Sequence, residues 1–434
     1  MAPMAWLPYL LLVLAALAGH LWWRGRQQRR AAAERAASIA AGLNEPASLH
    51  PVVDPARCIG SGSCVRECPE GALGLVDGKA TLVQAAACIG HGACHAACPF
   101  DAITLVFGTE RRGVDIPLLA PDFQTNVPGL YIAGELGGMG LIRKAAEQGR
   151  QAMQAIVARR PRGDAEVLDV VVVGAGPAGL SAGLSALEHR LRFAIVEQES
   201  SLGGAIFHYP RQKVAMTAPV QLSLVGAVKM SEISKEDLLA FWHGVTLKFA
   251  LPLRLGERME GIDRDGDAFV VRTSRGALRT RSVLLAIGRR GTPRTLGVPG
   301  EDLPKVVYRL VDPQQYAGQA VLVVGGGDSA LEAAIALAGE PGTRVTLSYR
   351  GQAFSRVKAR NRDTLAALQQ AGRLEVALDS QVERIEATQV LLRRADGLTR
   401  ALDNQALVVC AGGELPTPLL KDIGIRFETH HGRA

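Results

Sequence analysis

Leu168-Asp169-Val170-Val171-Val172-Val173-Gly174-Ala175-Gly176-Pro177-Ala178-Gly179, running on to Glu197, is the stretch around which the rest of the chain arranges itself. Apart from Asp169 its first six residues are leucine or valine, the composition of a strand buried on both faces of a parallel sheet. The strand runs into Gly174, Gly176 and Gly179, spaced G-x-G-x-x-G, and Pro177 to His189 carries helical apolar spacing with proline in a tolerated first-turn position. Gly174 allows a tight turn, Gly176 lets backbone approach a pyrophosphate, and Gly179 lets helix and strand pack closely, while the helix N-terminus offers free N–H groups. A second apolar run, Phe193 to Val196, ends at Glu197, 23 residues after Gly174, where a carboxylate takes ribose hydroxyls. Strand, glycines, helix, strand and acid in that order predict a dinucleotide-binding unit and not an ordinary tight turn.

With 434 residues the chain has room for about two to four domains. Its net charge is +7, but the later arginines are interspersed with acids and form no basic stripe, so no nucleic-acid partner is expected. The local excess is Arg24, Arg26, Arg29 and Arg30, directly behind an apolar run. Met4 to Trp23 is 20 residues without a formal charge and ends in Trp22 and Trp23. That length, the aromatic end and the arginines predict a transmembrane anchor over 4–23 with the bulk of the chain in the cytoplasm. Ala16-Leu17-Ala18 offers a competing signal-peptidase reading, which the lack of a positive n-region disfavours. Ala31 to Leu43 reads as a helical or flexible spacer, and Asn44 to Pro55 as a loop.

Six of the seven cysteines lie between Cys58 and Cys98, too concentrated for a general disulfide framework. Cys58-Ile-Gly-Ser-Gly-Ser-Cys64-Val-Arg-Glu-Cys68-Pro69 recurs 30 residues later as Cys88-Ile-Gly-His-Gly-Ala-Cys94-His-Ala-Ala-Cys98-Pro99, with a hairpin expected over Gly74 to Val83 between the copies. Each copy resembles the bacterial two-cluster ferredoxin run C-x₂-C-x₂-C-x₃-C-P, whose fourth cysteine ligates the other cluster. Both copies depart from it at the second cysteine, replaced by Ser61 and by His91. The resemblance implies two iron-sulfur clusters, one on Cys58, Cys64 and Cys98, the other on Cys88, Cys94 and Cys68. Three thiolates suit a 3Fe-4S cluster, or a 4Fe-4S cluster whose last iron takes Ser61, His91, water or a ligand from elsewhere. Zinc is the weaker reading because zinc sites need no interleaved C-P repeat. His95 reads as a solvated surface histidine.

Pro121-Asp-Phe-Gln-Thr-Asn-Val-Pro-Gly-Leu-Tyr-Ile-Ala-Gly134-Glu135, continuing through Lys144-Ala-Ala-Glu-Gln-Gly149 into a helix ending near Arg159, resembles the closing segment of thioredoxin-reductase-like flavoproteins. In that family the segment comes last and contacts FAD; here it precedes the first glycine motif, which implies a circular permutation completed either within the chain or by a neighbouring subunit. Glu135 stands where the family has aspartate. Gly203-Gly204 resembles the loop passing the adenosine half of FAD, and Tyr209 to Thr217 with Ser234 to Trp242 resembles the bacillithiol-disulfide-reductase branch. His208 and His243 are proton-shuttle candidates, with a plain core or surface role favoured for each. Leu284-Leu-Ala-Ile-Gly288 with Thr292-Pro293 resembles the crossing into the pyridine-nucleotide domain.

Ala320 to Val324 reads as another buried strand, followed by Gly325-Gly326-Gly327-Asp328-Ser329-Ala330, a G-x-G-x-x-A motif opening a helix. Gly325, Gly327, Ser329 and Ala330 are candidate contacts. The next strand, Arg344 to Ser348, ends in Tyr349-Arg350 with Arg356 and then Arg360 and Arg362 beyond, and not in an acid. Arginine accommodates the 2′-phosphate, so NADPH is preferred over NADH. Val408 to Pro416 resembles the return to the flavin domain, with Cys410 a buried strand residue. Thioredoxin reductases carry a C-x-x-C before this motif, yet Pro304 to Gln319 contains no cysteine.

The expected fold is α/β: two Rossmann-like dinucleotide-binding domains, for FAD and NAD(P), plus an α+β dicluster ferredoxin domain and one N-terminal transmembrane helix. Its expected order is anchor 4–23, linker 24–50, ferredoxin-type domain 51–108, closing segment 114–160, FAD domain 166–293, NAD(P) domain 294–413 and return segment 414–434. The implied activity is an FAD-dependent NAD(P)H oxidoreductase of the bacterial inner membrane, single-pass and facing the cytoplasm, exchanging electrons between NADPH, FAD and two clusters. Implied partners are a ferredoxin-like protein, a quinone or a membrane redox complex, with a homodimer possible. The alternatives are a low-molecular-weight disulfide reductase and a non-catalytic redox sensor. The protein supplies placement and electrostatics to the cofactors, so no acid–base residue is singled out as catalytic.

Overall fold

The computed structural model describes residues 7–432 except 42, 47–48, 111–112, 139, 160–166, 210, 212, 217–218, 231, 290–292, 355–356 and 415. Met4, Arg356, Thr217 and Thr292, named above, lie outside the described residues. The chain forms two compact units: the residues up to Val114 with Gly351–Asp363 and the last residues from His430, and Asp115–Arg350 with Thr364–Thr429.

In the first unit, helix Leu7–Ala40 runs unbroken for 34 residues. It corrects the expectation of a transmembrane span over 4–23: among the described residues no helix is long and apolar enough to cross a membrane. The apolar half, with Tyr9 to Leu14, Leu17 and Leu21 to Trp23 exposed, passes without a break into Arg24, Arg26, Arg29 and Arg30. The spacer expected after it is helical as far as Ala40 and packs on the cysteine-rich module. Ala31 is buried there with Val76 and Val83, and its methyl lies 2.8 Å from where a Cβ would stand on Gly74. Only glycine leaves that notch open. Arg24 donates to the Gly60 carbonyl at 3.2 Å, and the Gln28 side chain accepts the Gly78 N–H at 3.2 Å.

The module repeats one pattern twice. Strand His50–Val53 pairs antiparallel with Ile103–Val106, and Leu73–Val76 with Lys79–Leu82. One-turn helices Ser63–Arg66 and Ala93–Ala96 follow the matched left-handed glycines Gly62 (φ 73°) and Gly92 (φ 77°). Cys58, Cys64, Cys94, Leu73, Ala80, Ala102 and Ile103 form its core.

In the second unit a mixed sheet runs in the order Leu253–Leu255, Phe193–Glu197, Leu168–Val173, Gly276–Leu285, Ala268–Thr273, Met259–Asp265. Val170 to Val173 are buried on both faces, as their composition requires. Strand Leu130–Ile132 joins the same sheet: Val283 is paired in parallel with Leu130 on one side and Val171 on the other. Helix Ile142–Ala158 then lies on helix Pro177–Glu188, with Ala146, Ala152, Met153 and Ile156 in the core that also holds Leu180 and Leu184. The segment preceding the glycine motif therefore inserts into the sheet of its own chain. Near the C-terminus Leu420 is buried with Leu130, Ile132 and Val171, and Asn126 exchanges hydrogen bonds with the Gly424 carbonyl and the Arg426 N–H at 2.9 and 2.8 Å.

A second sheet, parallel throughout, runs Val306–Val307, Ala406–Val409, Ala320–Val324, Arg344–Ser348, Leu374–Ala377. Helix Asp328–Gly339 follows its central strand. A three-stranded antiparallel sheet, Ser380–Ile385, Gln389–Arg394 and Thr399–Asp403, completes this part.

Candidate functional site

Two glycines of the first motif are held by contacts no side chain would survive. Gly174 adopts φ 108°, and a Cβ on it would lie 2.5 Å from the Ala286 carbonyl oxygen. A Cβ on Gly179 would lie 1.8 Å from the Gly174 carbonyl oxygen, which fixes helix against strand. Gly176 caps helix Pro177–Glu188 without a side-chain cap, so no side chain competes for the first-turn amides. Gly204, at φ 54°, faces Gly176: a Cβ on it would be 3.0 Å from the Gly176 Cα. Backbone thus lines both sides of the turn.

Glu197 is buried, and its carboxylate accepts the Ala175 N–H at 2.7 Å and the Glu199 N–H at 3.0 Å. Burial pushes its carboxyl above the ordinary value, and the two amides pull against that. The closing segment meets the same helix start. Gly134, at φ 85°, would put a Cβ 3.1 Å from the Ala178 methyl, and its N–H donates to Gln148 at 2.9 Å. The Glu135 carboxylate reaches past Gly140 to within 3.9 Å of a Cβ position on Gly288. Gly134, Gly174, Gly176 and Gly204 thus converge on one helix N-terminus, with Glu135 beside Gly288, and the glycine cradle and buried acid fit a bound FAD.

At the second motif Gly325, at φ 149°, would put a Cβ 2.4 Å from the Cys410 carbonyl oxygen and 3.0 Å from Ala330. Gly327 and Ser329 are exposed and Ala330 is fully buried. The Tyr349 ring lies over Gly326, 2.1 Å from a Cβ position there, and Arg350 is exposed just past the strand end. A glycine turn open at Gly327 and Ser329, with an arginine just past the strand end, fits a pyridine dinucleotide with a 2′-phosphate. Cys410 is half-buried, and desolvation pushes its thiol up to about 12, which keeps it protonated.

The cysteines line two hollows. Cys58, Cys64 and Cys98 line one, together with Ser61, Ala80 and Phe100. Cys68, Cys88 and Cys94 line the other, with Pro51, Glu70 and His91. The fourth-position cysteine of each repeat, Cys68 or Cys98, lines the hollow of the other copy. Among the described residues no group of three or more His, Cys, Asp or Glu closes around a single ion. A cluster needs a different arrangement, with thiolates spread around a cavity so that each takes its own iron. The Ala80 N–H donates to Cys58 Sγ at 3.5 Å and the Ala102 N–H to Cys98 Sγ at 3.4 Å, both suited to thiolate sulfur. Burial pushes the Cys64 thiol up, and Cys58, Cys98 and Cys94 add to the effect, so the positive charge of bound iron is what would hold that sulfur as a thiolate.

The structure separates the two histidine candidates. Both ring nitrogens of His208 lie within 2.9 Å of Arg309 Nη1, with a Glu199 oxygen 3.3 Å from Nε2, while His243 is exposed. Gln148, Lys79 and Tyr349 contact the sites without having been singled out in the sequence, because only tertiary packing brings them there.

Comparison with known proteins agrees with this geometry. Residues 50–99 match the model of a 4Fe-4S dicluster domain. The chain is 26% identical over 268 residues to "Bacilliredoxin reductase Bdr" of Bacillus subtilis (61% of this chain, 82% of the relative). It is 31% identical over 259 residues to a "Ferredoxin--NADP reductase" of Thermus thermophilus (57% and 74%). Among solved structures it shares its fold with bacillithiol disulfide reductase Bdr from Staphylococcus aureus at a TM-score of 0.53 and 24% identity, covering 60% of this chain and 81% of that one. Residues 171–433, more than half of the chain, match the model of the pyridine nucleotide-disulphide oxidoreductase family, and with both dinucleotide turns in place the chain belongs to that family.

Proposed function

We propose that the protein passes electrons between NADPH and a redox partner by way of a bound FAD and two clusters, one in each cysteine hollow. The observation that carries this reading is the pairing of two three-cysteine hollows with a nucleotide domain that has no cysteine pair: Pro304 to Gln319 holds none and Cys410 stands alone. The electrons have no disulfide to leave through, and the hollows are the alternative outlet. Bound flavin converts a two-electron hydride into single electrons, the unit a cluster accepts. The chain's own residues orient and hold: Glu197 fixes the first turn through Ala175, Gly134 and Gly204 close over the helix start, and Arg350 selects the nucleotide. The partner is a ferredoxin-like protein, a quinone or a membrane redox complex.

Association with the bacterial inner membrane from the cytoplasmic side belongs to the same proposal. It is supported by the exposed apolar half of helix Leu7–Ala40 and the arginines that follow. Oxygen-free purification with counts of iron, sulfide and flavin, then titration with NADPH, tests the central claim. NADPH must bleach both chromophores, and a protein without flavin or acid-labile sulfur sinks the reading.

The likeness to the Bdr reductases favours a second reading, reduction of a low-molecular-weight disulfide at the flavin. NADPH turnover with such a disulfide after replacement of all six cluster cysteines decides for it.

A further inference from the structure

The two hollows derive from one repeat, so each residue around one has a counterpart around the other. Leu75 opposes Ala80 in one ribbon, and Leu105, 30 residues on, opposes Pro51 in the other. Pro51 is therefore the counterpart of Ala80, and His50 of Lys79. Backbone contacts agree: the Gly78 carbonyl closes on Gly60 as the Leu49 carbonyl closes on Gly90.

Three counterpart pairs differ in a way that bears on charge. The Ala80 N–H donates to Cys58 Sγ at 3.5 Å, whereas Pro51 has no N–H to give Cys88. Cys88 Sγ keeps a backbone N–H from Gly90 but faces an acceptor, the Leu49 carbonyl oxygen at 3.9 Å, on its other side. Lys79 Nζ donates to the Cys58 carbonyl at 2.5 Å, which places a cation beside the first hollow. Glu70 lines the second hollow where Phe100 lines the first. Proline is tolerated at position 51 because the N–H lost there points at sulfur and not into the ladder. Reduction adds negative charge to a cluster, so N–H donors and cations favour it and a carboxylate opposes it.

We infer that Pro51 and Glu70 hold the cluster of Cys68, Cys88 and Cys94 at the lower reduction potential, making the hollow of Cys58, Cys64 and Cys98 the electron-collecting end of the module. This inference rests on the reading that both hollows carry clusters. His91 also lines the second hollow, and a histidine ligand acts in the opposite sense, so the test keeps His91 in place throughout.

The test is an EPR-monitored redox titration of the full-length chain, purified without oxygen, with iron and sulfide counted in each sample. Wild type is compared with Pro51→Ala, which restores the missing N–H, and with Glu70→Gln, which removes the charge without touching the backbone. Two midpoints are expected in wild type, and each variant should raise the lower one and leave the higher in place, narrowing the gap. A lower midpoint unmoved in both iron-replete variants, a shift confined to the higher midpoint, or a single shared midpoint in wild type overturns the inference while leaving the cluster reading intact. Wild-type protein without iron and sulfide overturns both, and is a different result.

Discussion

Gly149 and Ala178 meet backbone to backbone: a Cβ built on Gly149 would lie 2.0 Å from the Ala178 carbonyl oxygen and 3.0 Å from its Cα. Helix Ile142–Ala158, which precedes the glycine motif in the chain, is thereby seated on the helix whose N-terminus faces the first nucleotide turn. Gly149→Ala forces the two helices apart and should cost about 1–3 kcal/mol, a typical overpacking penalty. Thermal unfolding together with flavin release measures it. Unchanged melting and unchanged flavin content would show slack that the contact does not have.

Glu197 holds two amides with two oxygens, and glutamine can offer only one. Glu197→Gln should weaken flavin retention by about 1.5–3 kcal/mol, roughly ten- to hundredfold, the usual worth of a hydrogen bond to a charged group. Flavin loss on dialysis reads this directly, and retention equal to wild type would remove Glu197 from the site.

Arg350 is exposed at the end of strand Arg344–Ser348, so its replacement does not disturb the core. Arg350→Glu should raise the KM for NADPH at least about tenfold and barely change that for NADH, because only NADPH carries the 2′-phosphate. Equal effects on the two nucleotides would dismiss the arginine as their discriminator.

In the nucleotide domain the Glu301 carboxylate gathers the Leu296 N–H at 2.6 Å, the Gly297 N–H at 2.7 Å and the Tyr308 hydroxyl at 2.8 Å. Burial opposes its ionisation, but those donors outweigh burial and hold the carboxyl below its ordinary value. A depressed carboxyl stabilises the fold fully above the unfolded-state pKa, and that contribution fades as pH falls through the folded value. The stability gap between wild type and Glu301→Gln should be complete at neutral pH and vanish in acid below the usual carboxylate range. A gap independent of pH would mean that the effect is steric.

Cys68 lines the hollow of Cys88 and Cys94, not that of its sequence neighbour Cys64. Cys68→Ser should therefore remove the same share of iron, and the same EPR component, as Cys88→Ser, and a different one from Cys58→Ser. Loss of the Cys58 component instead would refute the crossed wiring.

The parts of the fold legible in the sequence are those whose signal is local. Strand Leu168–Val173, helix Pro177–Glu188 and strand Phe193–Glu197 stand where the valine run, the glycine spacing and the acid put them. So do Ala320–Val324 and Arg344–Ser348. The features that composition hid depend on residues far apart in the chain. Nothing near Gly74 announces that Ala31 fills the space above it, and that contact is what decides for a helix in a spacer the sequence leaves as helical or flexible. Pro51 reads as a loop proline until the register with Leu105 sets it against Ala80. The transmembrane expectation read Trp22-Trp23 and the arginines as the edge of a span, whereas one helix runs on through all of them, and among the described residues none is long and apolar enough to cross a membrane.

The Ala31 notch also has a mechanical meaning. A helix of 34 residues is about 51 Å long, and this one is pinned to the iron-binding module along its charged half by Arg24, Gln28 and Ala31. Such a strut transmits torque where a string would not, so whatever grips the greasy end also sets the bearing of the module about its axis. Lengthening the strut by one residue would swing its grip by roughly 100°, enough to point a different face of the module at its surroundings.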